Sequence, residues 1–251
     1  MIHVRSAADA LSKRAEVISP GSGQRHWGTV FFGPRSSAVR APGPQATMSD
    51  LVPGETILPH FHGVSMFQLF LDGSATVGAK AQPLKPLTVQ FKDHHTAYGP
   101  IVAGPQGLSF VALRIITANS EPVYLHREGY RERLKPSRRR NLVSEPVVFS
   151  VEPVRQFREQ PVWEDVIAET DDGIFARIAR VGAGQSVAAP DPRAAGGYYI
   201  VVGAGSLIHG GEELPRWSMI VVENVEESFT IEAGPGGVEA LVLQYPRGDI
   251  E

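Results

Sequence analysis

The sequence predicts an all-β protein made of antiparallel sheets, and three observations support this fold class. Short apolar stretches recur roughly every ten residues and are separated by Gly or Pro, as in proteins with many short strands. The 251 residues include 26 Gly and 20 Pro, a content that favours turns over long helices. No alternation of strands with helices and no Gly-rich phosphate-binding loop is present. Together these features are typical of a β-sandwich or β-barrel.

The predicted elements of the first half begin with a short helix over residues 7–16. Its predicted strands cover residues 27–32, 46–52, 57–61, 67–71, 87–91 and 108–116. The dipeptide Asp72-Gly73 predicts a hairpin turn, with Ala75 to Val77 as the returning strand. The strands predicted in the second half cover residues 174–181, 198–202, 219–222, 229–231 and 238–245.

The two halves of the chain resemble each other weakly. When Gly73 is aligned with Gly205, the offset is 132 residues and a strand-turn-strand pattern agrees on both sides. At this offset His60 and His62 of the first half fall on Pro192 and Ala194. Gln68 falls on Ile200, and His95 falls on Glu227. We therefore expect one metal site per chain, in the first half, and a second half that is either structural or binds something apolar.

Composition excludes several classes of function. The net charge of −3 gives no general attraction to nucleic acid or to an anionic membrane. The absence of Cys excludes disulfides, thiolate nucleophiles and Cys-bound metal centres. No apolar run is long enough for a transmembrane helix, and no signal peptide is apparent, so we expect a soluble, cytoplasmic protein. A basic cluster within residues 121–145 is interpreted as a solvated linker between domains, the alternative being a phosphate or nucleic-acid patch.

Residues 54–99 contain the residues that indicate a chemical site. His60 and His62 are one residue apart, and residues two apart on a β-strand point to the same face. Both imidazoles can therefore enter one cavity and share a metal ion, provided that a third ligand comes from elsewhere. His94 and His95 follow about 33 residues later and are the candidates for that third ligand.

These residues carry a family resemblance. Gly54, His60, His62 and Gly73 are spaced as in the first motif of the cupin superfamily, and Asp93 to Gly99 resembles its second motif. With the repeat, the chain is similar to a two-domain cupin, or bicupin. The resemblance implies two tandem antiparallel β-barrels of the jelly-roll type, also called the double-stranded β-helix. It places a metal-type barrel at residues 1–125, the basic linker at 126–146 and a degenerate barrel at 147–251.

The sequence departs from the cupin motifs at two points. Where a glutamate ligand is usual, the chain has Met66 or Phe67, and Gln68 on the same face as Met66 is a weak fourth ligand or a holder of bound water or substrate. The second motif lacks its usual Pro-x-Gly, which leaves the choice between His94 and His95 open. We prefer His95 for its spacing to Tyr98, a residue that is either a donor to bound substrate or a core tyrosine.

The expected site is one divalent transition metal held by His60, His62 and His95, with iron preferred and zinc, nickel or manganese as alternatives. The resemblance implies dioxygenase chemistry on a small organic acid or diketone. The alternatives are a binding protein for a small molecule or sugar, in which the histidines remain as hydrogen-bonded cavity residues, and a metal-dependent isomerase or lyase. The expected partner is a small molecule, with no nucleic acid and no membrane. The resemblance also implies a homodimer, unless two barrels in one chain already satisfy that pairing.

Overall fold

The chain folds into two compact units, which the computed structural model describes over residues 1–19, 22–34, 43–116 and 120–248. The N-terminal unit is Lys13–Val147. The C-terminal unit combines Met1–Ser12 with Val148–Glu251. Every strand pairing within the two units is antiparallel, which confirms the predicted all-β class.

The elements up to residue 147 are, in chain order, β1 (Ile2–Arg5), α1 (Ala7–Ser12), β2 (Ala15–Ile18), β3 (Arg25–Phe32), β4 (Gln45–Leu51), β5 (Thr56–Ile57), β6 (His60–Phe61), β7 (Met66–Val77), β8 (Gln82–Leu84), β9 (Val89–Lys92), β10 (Ile101–Arg114), β11 (Val123–Tyr124) and β12 (Asn141–Val143). The later elements are α2 (Glu152–Gln156), β13 (Val162–Ile167), β14 (Phe175–Val181), β15 (Ser186–Ala188), a 3-10 helix (Pro192–Ala194), β16 (Tyr198–His209), β17 (Glu212–Pro215), β18 (Met219–Val222) and β19 (Thr230–Gln244). Neither α-helix in the described ranges has the length or the apolar run needed to cross a membrane.

The two units share one strand order. The large sheet of the N-terminal unit runs β12-β9-β7-β10-β4-β3-β2, and that of the C-terminal unit runs β1-β18-β16-β19-β14-β13. β7 and β16 each have 12 residues, and each pairs with its next three strands in the chain. The repeat at an offset of 132 residues therefore corresponds to equivalent strands. Both hydrogen-bonded orders are open at their ends among the described residues, so the sheets are not the closed barrels that the resemblance implied.

The predicted hairpin turn at Asp72-Gly73 is wrong. β7 runs through both residues as one strand, and its pairing with β10 shifts register on either side of Gly73. Gly73 has φ 78°, and a Cβ placed there would lie 2.2 Å from the carbonyl oxygen of Gly107. The glycine is therefore required for a β-bulge that bends a long strand, and the chain does not reverse there.

The unit boundaries differ from the predicted domains at both ends of the first half. Residues 1–12 belong to the C-terminal unit because β1 forms an antiparallel pair with β18, from Ile2 opposite Val222 to Arg5 opposite Met219. The segment predicted as a linker contributes β12, which pairs with β9 in the N-terminal unit. Its Arg140 also binds both carboxylate oxygens of Asp93, at 2.9 and 3.0 Å.

The interiors of the two units differ in polarity. The C-terminal unit has a continuous apolar core in which residues such as Tyr198, Ile200 and Ile231 are fully buried. The positions matching His60 and His62 there are Pro192 and Ala194, on the short 3-10 helix. The N-terminal unit also has an apolar cluster among its described residues, which includes Phe70. It also contains a cavity, which holds the polar residues described next.

Candidate functional site

The N-terminal unit contains a cavity of about 210 Å³ that is partly open to solvent. Its lining residues are Val17, Ser19, His26, Gly28, Val30, Gln45, Thr47, Ser49, Leu51, Ile57, His60, His62, Gln68, Tyr98, Ile101, Phe110, Ala112, Arg114, Ser120, Pro122 and Tyr124. Among these described residues there is no Asp or Glu. A cavity of about 150 Å³ can hold benzene, so this one has room for a somewhat larger molecule.

Strand register explains why these side chains meet. Residues two apart on a strand share a face, so Phe110, Ala112 and Arg114 of β10 all point to the cavity. Ala112 lies opposite Gln68 of β7 on one side, and Arg114 lies opposite Gln45 of β4 on the other. One end of the cavity is therefore polar, while Phe110 and the residues near it make the rest of the wall largely apolar.

His60 and His62 both line the cavity, as predicted, with their ring centroids 5.0 Å apart. His60 is on β6, and His62 follows that strand directly. The Nδ1 of His60 donates to the carbonyl oxygen of Leu58 at 2.7 Å, and the Nδ1 of His62 donates to that of Ser120 at 2.6 Å. Because each Nδ1 carries the hydrogen, each Nε2 is an acceptor in the neutral ring.

The two rings are uncharged at neutral pH. Burial lowers the pKa of His60 to about 4, with further lowering by Lys92 and Arg114 and an opposing hydrogen bond to Leu58. Burial also holds the pKa of His62 well below its ordinary value, and Arg114 adds to the effect. Both histidines are therefore hydrogen-bond acceptors in the neutral form, and Arg114 supplies the positive charge of the cavity.

Arg114 is the permanent cation of the site. It is buried at the cavity wall and its Nη1 donates to the Oε1 of Gln45 at 3.1 Å. Its Nη2 lies 3.3 Å from the Nε2 of His62 and 3.5 Å from the sulfur of Met66. The guanidinium therefore occupies the side of His62 from which a metal ion would have to bind.

A buried lysine fixes the orientation of Gln68. The Nζ of Lys92 donates to the Oε1 of Gln68 at 2.6 Å and also to the Oε1 of Gln90. Gln90 is itself oriented by Asn141, whose Oδ1 accepts from its Nε2 at 2.6 Å. Nζ also lies 4.2 Å from the centroid of the Tyr98 ring. Burial lowers the pKa of Lys92 well below the ordinary lysine value.

Tyr98, one of the residues singled out in the sequence, lies beside His60. The two residues form an isolated antiparallel bridge, with backbone hydrogen bonds of 3.0 Å in both directions. Their ring centroids are 4.5 Å apart, and Tyr98 lines the cavity. Burial raises the pKa of its hydroxyl, so Tyr98 is a neutral phenol that can donate a hydrogen bond.

His95 does not line the cavity. Its backbone N–H donates to the carbonyl oxygen of His62 at 2.7 Å, but its ring lies beside Phe61, with centroids 5.5 Å apart. Phe61 is between the two site histidines in sequence and points to the other face of the strand. His95 has φ 56° within a turn, and His94 is in the same turn, 5.3 Å away between ring centroids. The structure therefore brings together His60, His62, Gln68 and Tyr98, but neither His94 nor His95.

The donor set does not fit the predicted three-histidine metal centre. In the described ranges no group of three or more His, Asp or Glu side chains is placed to hold a metal ion. The amide oxygen of Gln68 already accepts a hydrogen bond from Lys92, which competes with binding to a metal ion. The Nε2 of His62 faces the guanidinium of Arg114. What remains is the Nε2 of His60, in a site whose wall carries the positive charge of Arg114.

A second polar pair lies at the cavity wall. His26 lines the cavity, and its Nδ1 is 2.9 Å from the Oε1 of Glu55, a fully buried carboxylate. The other carboxylate oxygen accepts from the backbone N–H of Val52 at 3.2 Å. The negative charge of Glu55 is thus held by protein donors behind the wall and does not line the cavity.

Sequence reasoning missed Arg114, Lys92 and Glu55. Arg114 follows Phe110 and Ala112 at two-residue intervals in a predicted strand. Because alternate residues of a strand point to the same face, this spacing could have placed the arginine on the same face as these two apolar residues. Lys92 stands at the middle position of the Pro-x-Gly that the motif lacks here, and it points to the same strand face as Gln90. Glu55 gave no usable signal, because its burial depends on the distant His26.

Comparison with known proteins supports the fold. No protein-family model and no curated protein matches the sequence. A putative dioxygenase from Nostoc punctiforme matches with a TM-score of 0.64 and 9% identity, over 100% of this chain and 84% of that one. A salicylate 1,2-dioxygenase from Pseudaminobacter salicylatoxidans has a TM-score of 0.59 and 14% identity, over 96% and 83%. A bacterial pirin from Escherichia coli, solved with nickel(II), has a TM-score of 0.57 and 11% identity, over 98% and 100%.

These structures share the cupin fold, and the chain covers most of each of them. At identities of 9–14% the likeness extends to the fold and not to the activity. The chain therefore has the fold of these structures, a finding that supports the resemblance to the cupins seen in its sequence.

Proposed function

We propose that the N-terminal unit binds a small organic acid, with the carboxylate of the ligand against Arg114. The observation that carries this proposal is the guanidinium at the wall of a cavity with no lining Asp or Glu among the described residues. Arg114 is buried, and a buried positive charge favours an anion beside it. The planar guanidinium also matches a carboxylate, which can accept two parallel hydrogen bonds from it.

Further polar groups at the same end support a bound ligand. The hydroxyl of Ser120 is buried and has no hydrogen-bond partner in the part of the chain that the structure describes. Buried hydroxyls are normally satisfied, so a ligand oxygen or a water bound with it accounts for this one. Val30, Ile57 and Phe110 line the apolar part of the cavity and would accept a hydrocarbon body.

Calorimetric titration of the full chain, freed of metal by a chelator, tests the proposal. We expect 4-methylpentanoate to bind and its uncharged amide to bind at least tenfold more weakly. Arg114→Gln should weaken binding of the acid by roughly 10- to 100-fold, as expected for loss of a hydrogen bond to a charged group. Arg114→Lys, which keeps the charge but not the planar fork, should give an intermediate affinity.

The matched control is Arg131→Gln, which neutralises an exposed arginine of the same unit and should leave the affinity unchanged. Thermal unfolding of each variant checks that it is folded. Equal binding of the acid and the amide, or an unaltered affinity in folded Arg114→Gln, would overturn the proposal.

A metal-dependent oxygenase is the second candidate function. It is favoured by the carbonyl contacts that hold the Nδ1 of His60 and His62, because histidine ligands are commonly oriented in this way. The resemblance to cupin dioxygenases favours iron. Metal analysis of untagged protein, with His62→Ala alongside, separates the two functions. About one equivalent of metal lost in the variant, with oxygen uptake on addition of an organic acid, supports the oxygenase, and anaerobic turnover supports an isomerase or lyase.

We further propose that the whole chain is a bicupin whose C-terminal unit has no ligand site. The equivalent strand orders of the two units support this proposal. So does the apolar core of the C-terminal unit, in which the residue equivalent to Gln68 is the fully buried Ile200.

A further inference from the structure

The polar end of the cavity presents a fixed arrangement of donors and an acceptor, which restricts the chemistry of its ligand. Gln68 is the first element of this arrangement. Its Oε1 accepts from Lys92, so its amide group cannot rotate without losing that hydrogen bond. The Nε2 of Gln68 is consequently the end directed away from Lys92. With Arg114, two residues along from Ala112 on the neighbouring strand, it forms a pair of donors on one sheet face.

His60 supplies the acceptor. Its Nδ1 hydrogen is donated to Leu58, which leaves the Nε2 lone pair as the ring's remaining polar atom. The ring lies 5.0 Å from that of His62, whose Nε2 is in turn 3.3 Å from Arg114. One small functional group can therefore span from the guanidinium to His60. A ligand that places another acceptor against His60 would bring two lone pairs together.

We propose that the site selects a 2-hydroxy carboxylate with an apolar body. The carboxylate accepts from Arg114 and from the Nε2 of Gln68, and the adjacent hydroxyl donates to the Nε2 of His60. The hydrocarbon part lies along Ile57, Phe110 and Val30. This inference rests on the proposed binding of an organic acid. It adds that the site distinguishes one acid from another by the 2-hydroxyl group of the ligand.

Lys92 is a positioning residue in this scheme. It is fully buried behind Gln68 and does not line the cavity. Its hydrogen bond makes Gln68 a donor instead of an acceptor, so it affects the ligand through the amide. Specificity that rests on an oriented buried group is lost when the orienting partner is removed, because the amide can then present either end.

Titration calorimetry with three ligands of one carbon skeleton tests the inference on the metal-free wild-type protein. The ligands are 2-hydroxy-4-methylpentanoate, 4-methylpentanoate and 4-methyl-2-oxopentanoate. We expect the hydroxy acid to bind about tenfold more tightly than the plain acid, as one additional good hydrogen bond would give. The oxo acid should bind no better than the plain acid, because its carbonyl oxygen cannot donate to His60.

Two variants test the hydroxyl contact with His60 and the carboxylate contact with Gln68 separately. His60→Phe should bring the affinity for the hydroxy acid down to that for the plain acid. Lys92→Met should weaken both acids together and preserve their ratio, because it disturbs the carboxylate contact alone. His209→Phe, the same substitution in the C-terminal unit, is the matched control and should change neither affinity.

The outcomes distinguish this inference from the function on which it rests. If the plain acid binds as tightly as the hydroxy acid, the inference fails and the organic-acid site stands. The inference also fails, with the organic-acid site intact, if folded His60→Phe keeps the preference for the hydroxy acid. If no acid binds to the wild-type protein, both proposals fail.

Discussion

Glu239 is a fully buried carboxylate on β19 of the C-terminal unit. Ser150 donates to it from its backbone N–H at 2.7 Å and from its hydroxyl at 2.6 Å, and Arg180 contributes an ion pair at 2.9 Å. Burial alone would raise the pKa of this carboxyl, but the hydrogen bonds from Ser150 and the charge of Arg180 outweigh it and lower the pKa. The charged form is therefore the form that the fold requires.

This pKa shift predicts a loss of stability in acid. Because the pKa of Glu239 is lower in the folded than in the unfolded chain, the unfolded chain binds the proton more readily as the pH falls. The stability that ionised Glu239 contributes to the fold is complete above the ordinary pKa of 4.5 and is lost as the pH falls through the folded-state pKa. Glu239→Gln should lower the free energy of unfolding at pH 7 by about 3 kcal/mol and reduce its decline in acid. Chemical denaturation at pH 7 and pH 4 measures both effects.

Glu164→Gln is the control for this prediction. Glu164 also pairs with Arg180, at 2.8 Å, but its side chain is 50% exposed. Ion pairs at such positions contribute little to stability, so this variant should unfold almost as the wild type does. Equal destabilisation by the two substitutions would contradict the role assigned to burial.

At the scale of elements, the bent strand β7 depends on one glycine. Gly73→Ala would place a Cβ 2.2 Å from the carbonyl oxygen of Gly107 in a residue with φ 78°. We expect a loss of roughly 3 kcal/mol or more in the free energy of unfolding, from the left-handed backbone and from the displaced neighbouring strand. Gly78 has nearly the same φ, 77°, but open space around its Cβ position. Gly78→Ala should therefore cost only about 1 kcal/mol, and urea denaturation of the two variants compares them.

The fold could be predicted largely from local patterns, because strand periodicity and Gly or Pro boundaries are local. Asp72-Gly73 shows the limit of this reasoning. A tight turn and a bulge both require a glycine with positive φ, and only the pairing partner β10 distinguishes them. The helix over residues 7–16 was predicted too long for a related reason, since its last residues form β2 by pairing with β3.

The candidate site was predictable where one strand determines it. His60 and His62 meet because of two-residue periodicity, which the sequence displays directly. The residue that lies beside His60 could not be predicted from spacing alone. His94 and His95 form a turn, and the residue that pairs with His60 after this turn is Tyr98. The positive charge at the cavity wall comes from Arg114 of β10, and no local pattern specifies the place of that strand in the sheet.

At the scale of the whole molecule, β1 completes the sheet of the C-terminal unit. It covers the edge of β18, whose four residues are fully buried. Deleting residues 1–12 should expose backbone groups of β18 and reduce the protection of its amides by at least tenfold. Hydrogen exchange read by mass spectrometry tests this, with peptides covering β10 as the internal reference for the N-terminal unit. Unchanged protection of β18 in the deleted protein would show that β1 contributes no stability.

The pairing of β1 with β18 also has a consequence for synthesis on the ribosome. Residues 13–147 contain all the strands of the N-terminal unit, so this unit can fold as soon as it emerges. The C-terminal unit has to wait for a strand pair that joins Ile2 to Val222, about 75 residues after the end of the first unit. At roughly 5–20 residues per second, that delay amounts to several seconds. During this time β1 has no partner strand, and the folded N-terminal unit lies between β1 and β18 along the chain.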